Sequence, residues 1–138
     1  MKTQLKALGL GLILSASIAG ASQAAGPEGV WKRSNGNAKI QMYSCGSAIC
    51  GKIVWLKNPR KDIKNPSKSL QSRELVGLNI VQGMKPNGSN EWAGKIYNAE
   101  DGKTYKGKMK LVSANELKLS GCALGGLICK GDIWNRSK

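Results

Sequence analysis

The stretch Glu91–Val112, EWAGKIYNAEDGKTYKGKMKLV, decides the fold. In each half of it, apolar residues or glycines alternate with lysines and other polar residues, a period of two that is typical of half-buried antiparallel strands. Asp101-Gly102 stands between the halves, and a glycine there supplies the positive φ that a tight reversal needs. The stretch therefore predicts a long hairpin. Its apolar faces agree when Ile96 lies opposite Tyr105, Gly94 opposite Gly107 and Trp92 opposite Met109.

Short segments of the same kind continue on both sides of this hairpin, with turn signals between nearly all of them. The predicted strands are 29–33, 38–43, 52–56, 75–82, 116–120 and 130–136. Together with the hairpin they make about eight antiparallel strands in chain order. Because an up-and-down sheet loses its edges by closing on itself, the sequence predicts an all-β fold, a small antiparallel barrel.

One long segment, residues 58–74, breaks the pattern. It contains the Asn-Pro steps Asn58-Pro59 and Asn65-Pro66, several basic residues and no period. This composition predicts a long loop, with one helical turn near 67–71. Loops of this length in small domains are often functional, and disorder is the ordinary alternative, so both interpretations stay open.

The first 24 residues have the features of a leader. Lys2 and Lys6 precede an apolar segment at 7–18, and Ser22-Gln23-Ala24 fits a small-x-small cleavage site. The apolar segment is too short to span a bilayer as a helix, although an uncleaved anchor is the alternative. A lipid-modified N-terminus would need a cysteine at the cut, and none stands there. We expect residues 1–24 to be a cleaved signal peptide. Residues 25–138 are then one periplasmic or secreted domain that does not span the membrane.

Four cysteines in an exported chain predict two structural disulfides, for which three connectivities exist. Each neighbouring pair flanks a probable strand connection, which favours the local pairs Cys45–Cys50 and Cys122–Cys129. A zinc site made by all four thiolates is the rival, but its ligand pairs usually lie two to four residues apart, and CALGGLIC is wider. The C-x-x-C spacing of redox catalysis is absent. We expect no metal site.

The chain is strongly basic, with a net charge of +14 of which the leader supplies only two. Such a charge predicts attraction to polyanions, anionic membrane surfaces or acidic ligands, and a basic surface kept for solubility explains it equally well. In the predicted hairpin Lys95 lies opposite Lys106, and Lys108 and Lys110 follow on the same face. This face is either a solvated exterior that deters edge pairing or an anion-binding stripe. Nucleic acid is not an expected partner, because the aromatic residues are not interleaved with the lysines.

Catalysis finds little support in the composition. Histidine, the commonest general base and metal ligand, is absent, and the eight acidic residues are scattered along the chain. We therefore expect neither an enzyme nor a cofactor. The facing glycines Gly94 and Gly107 leave a dent that a bulky neighbour such as Trp31 or Trp55 fills, or that leaves room for a small ligand. The candidates for a cavity lining are Trp55, Trp92, Tyr105 and Met109.

Several motifs in a fixed order resemble one family. They are GVW at 29–31, CGSAICGKIVWL at 45–56, DIKNP at 62–66, Arg73 with VGL at 76–78, Tyr97 with EDGKTY at 100–105, and GC at 121–122 with WNR at 134–136. Together they are similar to the bacterial secreted domain-of-unknown-function family 2147. The resemblance covers nearly all of residues 25–138 and implies a lipocalin-like β-barrel in or beyond the periplasm. It implies no activity.

The Gly-x-Trp beginning and the Trp-x-Arg end are also similar to the lipocalin pattern. By that analogy Trp31 and Arg136 would stack and close one end of the barrel. The resulting hypothesis is a non-catalytic periplasmic or secreted binding protein for a small apolar or amphipathic anion. The alternative is an envelope interaction module that binds a polyanionic surface or a protein partner through its basic exterior.

Overall fold

The computed structural model describes residues 26–137 and, from the predicted leader, Gly9 and Gly11 only, so that the signal-peptide prediction lies outside the described residues. Eight strands form a closed barrel in which each strand pairs antiparallel with the next and the last returns to the first. The predicted all-β up-and-down barrel is confirmed. The strands are β1 (Gly29–Lys32), β2 (Ala38–Cys45), β3 (Ala48–Leu56), β4 (Asn79–Pro86), β5 (Glu91–Asn98), β6 (Lys103–Ser113), β7 (Glu116–Ala123) and β8 (Ile128–Arg136).

The β5–β6 hairpin forms in the register that the alternation predicts. Ile96 pairs with Tyr105, Gly94 pairs with Gly107, and Trp92 pairs with Met109. Gly102 has a φ of 71° in the connecting turn, a conformation that favours glycine. The hairpin prediction is confirmed in its strands, its turn and its register.

The fourth strand begins later than predicted. Residues 75–78 belong to the preceding loop, and β4 runs from Asn79 to Pro86. Leu75 is fully buried against the barrel core although it lies in a loop, and Gly77 turns the chain with a φ of 93°. An apolar residue buried by a loop therefore has the same sequence signal as one buried in a strand. The cysteine segments differ too, because they pair as hairpins and lengthen β2, β3, β7 and β8 beyond their predicted limits.

The two ends of the barrel differ in their connections. In an up-and-down barrel, alternate connections lie at alternate ends. One end, here called the open end, carries the β1–β2 turn, the long β3–β4 loop, the β5–β6 turn and the β7–β8 connection. The opposite end, here called the closed end, carries the other three turns and residues 26–28, which lead into β1.

The closed half of the barrel is filled with side chains. Its largest fully buried hydrophobic residues are Trp31, Ile40, Met42, Val81, Met84, Met109 and Leu117. The dent predicted at Gly107 is occupied, because a Cβ there would lie 2.6 Å from Met84 Cε and 2.7 Å from Ile96 Cγ1. Neither Trp31 nor Trp55 is among the atoms nearest to it. At Gly94 the backbone of the β4 bulge takes the space instead, with the carbonyl oxygen of Gln82 at 2.6 Å.

Trp31 and Arg136 lie together at the closed end. The guanidinium carbon of Arg136 is 4.2 Å from the centroid of the Trp31 ring, and the indole Nε1 donates to the carbonyl of Pro27 at 2.8 Å. Arg136 also donates to three backbone carbonyls, those of Gly26 at 2.8 Å, Glu28 at 2.7 Å and Ala114 at 2.7 Å. One side chain thus joins the segment before β1, the β6–β7 turn and the end of β8.

Both predicted local disulfides are confirmed. Cys45–Cys50 spans the β2–β3 turn at the closed end, and Cys122–Cys129 spans the β7–β8 connection at the open end. Two disulfides in a chain of this size indicate an oxidising, extracytoplasmic compartment. Within residues 26–137, no helix is long and apolar enough to cross a membrane.

Candidate functional site

A cavity of about 620 Å³ lies in the open half of the barrel. Small-molecule sites generally have volumes of about 300–1,000 Å³, so the cavity has the size of a ligand pocket. Leu119 and Trp134 line it and are also part of the buried core, so they mark its inner boundary. Its larger apolar and aromatic wall residues are Ile80, Ile96, Tyr97, Tyr105, Leu119, Ile128 and Trp134.

Small residues on β7 keep this half of the barrel empty. Gly121 and Ala123 line the cavity where larger side chains fill the closed half. A Cβ at Gly121 would meet only the Tyr105 side chain, with Cβ at 3.6 Å and Cγ at 3.8 Å, which are ordinary contact distances. The cavity therefore has free space beside Gly121.

Asp132 is a charged lining residue whose oxygens are already engaged. Its Oδ2 accepts hydrogen bonds from Trp134 Nε1 at 2.9 Å and Arg33 Nε at 3.4 Å, and Ser34 Oγ donates to its Oδ1. The carboxylate thus ties the β1–β2 turn to β8 across the barrel closure. Both oxygens of Asp132 therefore have hydrogen-bond donors within the protein.

A second carboxylate, Asp101, is held by the β5–β6 hairpin. The Tyr105 hydroxyl donates to its Oδ2, and the Lys103 amide donates to its Oδ1 at 2.9 Å. Burial alone would raise the pKa of Asp101, but these hydrogen bonds hold it below the ordinary value. The same hydrogen bond, with some burial, raises the pKa of Tyr105. At neutral pH the cavity thus has an Asp101 anion beside a neutral phenol.

The charged groups of the lining are mixed in sign. Arg33 and Lys130 are cationic, whereas Glu100, Asp101 and Asp132 are anionic. Arg33 is paired with Asp132, but Lys130 takes part in none of the ion pairs of the described residues. The large basic excess of the chain therefore lies outside the cavity. Lys130 is the lining cation that has no acidic partner in the described part of the chain.

The β3–β4 loop, residues 57–78, is anchored to the barrel by a buried carboxylate. Asp62 is fully buried and accepts three hydrogen bonds. Their donors are the Tyr97 hydroxyl at 2.6 Å, Arg73 Nε at 2.9 Å and Asn65 Nδ2 at 3.0 Å. Burial alone would raise the pKa of Asp62, but the three hydrogen bonds and the Arg73 charge hold it below the ordinary value. Burial, followed by the bond to Asp62, raises the pKa of Tyr97. Tyr97 lies on β5, so this cluster fixes the loop to the sheet.

The loop also lies directly on the β5–β6 turn. A Cβ at Gly102 would stand only 1.9 Å from the carbonyl oxygen of Lys64, and Leu75 is buried at the other end of the loop. The predicted helical turn is a 3₁₀ turn at Lys68–Leu70. The long loop is therefore a packed part of the open end.

Replacing Gly102 with alanine is expected to loosen this contact. The alanine would combine a φ of 71° with a clash against backbone, and we expect a loss of stability of about 2 kcal/mol or more. Urea unfolding measures the loss, and limited proteolysis reports new cleavage within residues 57–78. Gly36→Ala is the matched control, since its φ is 72° but the nearest atom, Lys32 Cε, is 3.5 Å away. Equal losses in the two variants, without new cleavage, would show that the loop does not depend on this contact.

One protein-family model matches residues 29–136, and that family is described as an uncharacterized protein conserved in bacteria, DUF2147. The chain belongs to domain-of-unknown-function family 2147. The match extends from β1 to β8, so the whole barrel is the family domain. The resemblance seen in the sequence motifs is confirmed.

The barrel of this family 2147 chain is similar to a solved structure described as protein HP1028 from the human pathogen Helicobacter pylori, which belongs to the lipocalin family. The TM-score is 0.72 at 20% sequence identity, and the similarity covers 80% of this chain and 82% of that chain. At this identity the likeness shows a shared fold. A comparison with curated proteins gave no match. The family 2147 domain is thus a lipocalin-like barrel.

The four residues predicted to line a cavity are not brought together in the family 2147 barrel. Tyr105 lines the cavity. Met109 is buried in the core of the closed half, and Trp92, its partner, packs on that core. Trp55 is 41% exposed, with Lys39 Nζ 5.7 Å from its ring centroid. The β2–β3 register shifts next to Lys39, so strict alternation from the buried Ile53 no longer holds and Trp55 faces out.

The lysines proposed as an anion-binding stripe lie on the outer wall. Lys95 pairs with Lys106 across the β5–β6 hairpin, and all four lysines are exposed. Lys110 Nζ is 3.8 Å from Glu91 Oε1, and none of the four lines the cavity. The stripe exists as a surface, separate from the pocket; its members are Lys95, Lys106, Lys108 and Lys110.

The polar residues of the open end were not identified as a site from the sequence. Asp62, Arg73 and Tyr97 occur in the motifs that carry the family resemblance, but they lie in separate motifs with nothing to show that they meet. The occurrence of these polar residues in the family motifs was the only sequence feature that could have pointed to a site. Lys130 and Asp132 occur in a segment predicted as an ordinary strand, so nothing in the sequence placed them at a cavity.

Proposed function

We propose that this protein is a non-catalytic, extracytoplasmic binding protein that holds a small amphipathic molecule in the open half of its barrel. The observation that carries this proposal is the cavity of about 620 Å³ with apolar walls and charged groups near the turns. Ligand pockets combine such walls with a few polar groups that orient the ligand. The two disulfides support a periplasmic or secreted location.

The arrangement of the lining suggests how the ligand lies. The buried Leu119 and Trp134 form the inner wall and suit an apolar body. The carboxylates Asp101 and Asp132 are occupied by donors of the protein, which leaves Lys130 to meet a polar or acidic head. We therefore propose an amphipathic ligand with its head at the β8 rim. A purely anionic ligand would meet three lining carboxylates, which oppose it.

The same lining supports binding without catalysis. Histidine is absent from the chain, and the described residues contain no group of three potential metal ligands. Hydrogen bonds from the Tyr105 hydroxyl and the Lys103 amide outweigh burial and hold the pKa of Asp101 below its ordinary value, so Asp101 is not poised for proton transfer near neutral pH. The oxygens of Asp132 already accept hydrogen bonds from Trp134, Arg33 and Ser34. These observations favour a carrier or sensor.

Filling the cavity tests the proposal. Gly121→Phe is expected to weaken the binding of a fluorescent long-chain fatty acid at least tenfold, because the ring would occupy the free space beside Tyr105. Ser120→Phe, one residue away and on the opposite face of β7, is the matched control and should bind like the wild type. Titration by fluorescence gives both affinities, and circular dichroism checks the fold. Absence of binding by the wild type, or equal losses in both variants, would contradict a ligand in this cavity.

A further inference from the structure

Exposed apolar side chains are concentrated at the open end. Of the eight large hydrophobic residues exposed in the described part of the chain, six lie on or directly beside two open-end connections. Scattered exposed hydrophobic residues are normal, but a group at one place indicates an interaction surface. The six are Ile63, Leu70 and Val76 on the β3–β4 loop and Leu124, Leu127 and Ile128 at the β7–β8 connection.

The β7–β8 connection presents the two most exposed of these side chains, Leu127 and Leu124. Leu124, Leu127 and Ile128, here called the apolar tip, are 70%, 86% and 54% exposed. The Cys122–Cys129 disulfide brackets the tip and limits how far it can fold back. Ile128 also lines the cavity, so the tip stands at the cavity mouth.

The backbone of the tip is held in an unfavourable conformation. Leu124 has a φ of 52°, in the left-handed region that a leucine rarely adopts, and Gly125 and Gly126 follow with φ of 69° and 98°. Asparagine or glycine would fit this place more easily. Because Leu124 is mostly exposed, its side chain gains little packing inside the protein in return. The exposed Leu124 side chain is therefore available for a contact outside the protein.

The same end of the barrel is basic. The exposed acidic residues there are Glu74, Glu100 and Asp101. Exposed lysines and arginines outnumber them and lie mostly on the β3–β4 loop beside Ile63 and Leu70. They are Lys57, Arg60, Lys61, Lys64, Lys68, Lys103 and Lys130.

We propose that the open end docks on an anionic phospholipid bilayer. The apolar tip inserts at the boundary between headgroups and acyl chains, and the basic residues of the β3–β4 loop lie against the headgroup phosphates. Apolar side chains that project beside lysines and arginines are the combination that binds proteins to such interfaces. Docking would set the cavity mouth on the bilayer. The docking proposal concerns only the rim of the barrel and does not depend on which ligand the cavity binds.

Vesicle binding tests the apolar tip. The full-length mature protein is mixed with phosphatidylglycerol–phosphatidylethanolamine vesicles at physiological salt and separated by flotation. The double variant Leu124→Ser with Leu127→Ser is expected to bind at least tenfold more weakly than the wild type. Val112→Ser is the matched control, because Val112 is 49% exposed at the closed-end limit of β6 and should not contribute.

Charge reversal separates the open end from the outer wall. Lys61→Glu with Lys64→Glu, on the β3–β4 loop, should reduce vesicle binding at least tenfold. Lys106→Glu with Lys108→Glu makes the same change on the outer wall and should leave more than half of the binding. Loss of binding only in the outer-wall variant would overturn the proposal and place the contact on the lysine stripe.

Insertion of the tip has its own signature. Leu127→Trp should add a tryptophan emission that brominated lipids quench, whereas the emission added by Val112→Trp should be unaffected. No flotation of the wild type with anionic vesicles, or no quenching at position 127, would overturn the proposal. Fatty-acid binding in the cavity is measured on the same variants. Its retention in the serine variant shows that the barrel is intact, so a failure of docking is distinct from a failure of ligand binding.

Discussion

Arg136→Ala is expected to lower the free energy of unfolding by about 3 kcal/mol, the larger part of it from charged hydrogen bonds. The alanine removes the donors of three backbone carbonyls and the cation that lies 4.2 Å from the Trp31 ring. The segment before β1, the β6–β7 turn and the end of β8 would lose their common partner. Urea unfolding followed by tryptophan fluorescence measures the change.

Two further substitutions sharpen this prediction. Arg136→Lys keeps the charge but lacks the planar fork that reaches several carbonyls, so it should recover less than half of the loss. Arg60→Ala removes an exposed arginine of the β3–β4 loop and should change stability by less than about 0.5 kcal/mol. Full recovery by lysine would show that charge alone matters at the closed end, contrary to the hydrogen-bond argument.

The second large effect is expected at Asp62, where replacement by asparagine should cost about 2–3 kcal/mol. The buried carboxylate accepts from Tyr97, Asn65 and Arg73. Asparagine has the same size, but it has only one acceptor oxygen. Its NH₂ group would face the donors that now bond to the second carboxylate oxygen, and it cannot accept from them. The β3–β4 loop should detach first, so cleavage by protease within residues 57–78 should rise together with the loss in urea stability.

The loss at Asp62 is expected to depend on pH. Because the folded-state pKa of Asp62 lies below its ordinary value of 3.8, the folded protein binds this proton less readily than the unfolded chain. The stability that ionised Asp62 contributes is fully present when the pH is above the ordinary pKa of 3.8, and it is lost as the pH falls through the pKa of Asp62 in the folded protein. The difference between wild type and Asp62→Asn should thus be constant near neutrality and shrink below about pH 4. Asp101→Asn, at an exposed carboxylate, is the control and should show a smaller difference. A difference at Asp62 that persists unchanged to the lowest measurable pH would contradict this account.

The sequence predicted best what depends on neighbours in the chain. The β5–β6 register follows from one alternating pattern around Asp101-Gly102, because a slip of one residue would turn every apolar side chain outward. The disulfides followed from short spacing around strand connections. The barrel followed from strands in chain order with no edge left unpaired.

What the sequence did not predict depends on contacts between distant segments. Asp62 and Tyr97 lie 35 residues apart, and nothing local shows that they meet. The β2–β3 bulge that turns Trp55 outward has no local signature. Whether an inward-facing residue lines the cavity depends on its position along the barrel axis. Met109 and Tyr105 share one face of β6, but only Tyr105 lies in the open half. Alternation gives the face of a side chain and says nothing of its height.

The narrow seam between β1 and β8 has a consequence for how the chain folds. The two strands share only two residue pairs, Trp31 with Arg136 and Lys32 with Asn135, whereas every other pairing joins consecutive strands. Each disulfide lies within one hairpin, so its thiols can oxidise before the ends of the chain meet. The seam instead joins groups up to 110 positions apart, and the entropy of closing such a loop slows folding. We therefore expect the two disulfides to form early and barrel closure to be the last and slowest event. The hydrogen bonds of Arg136 would form at this closing step.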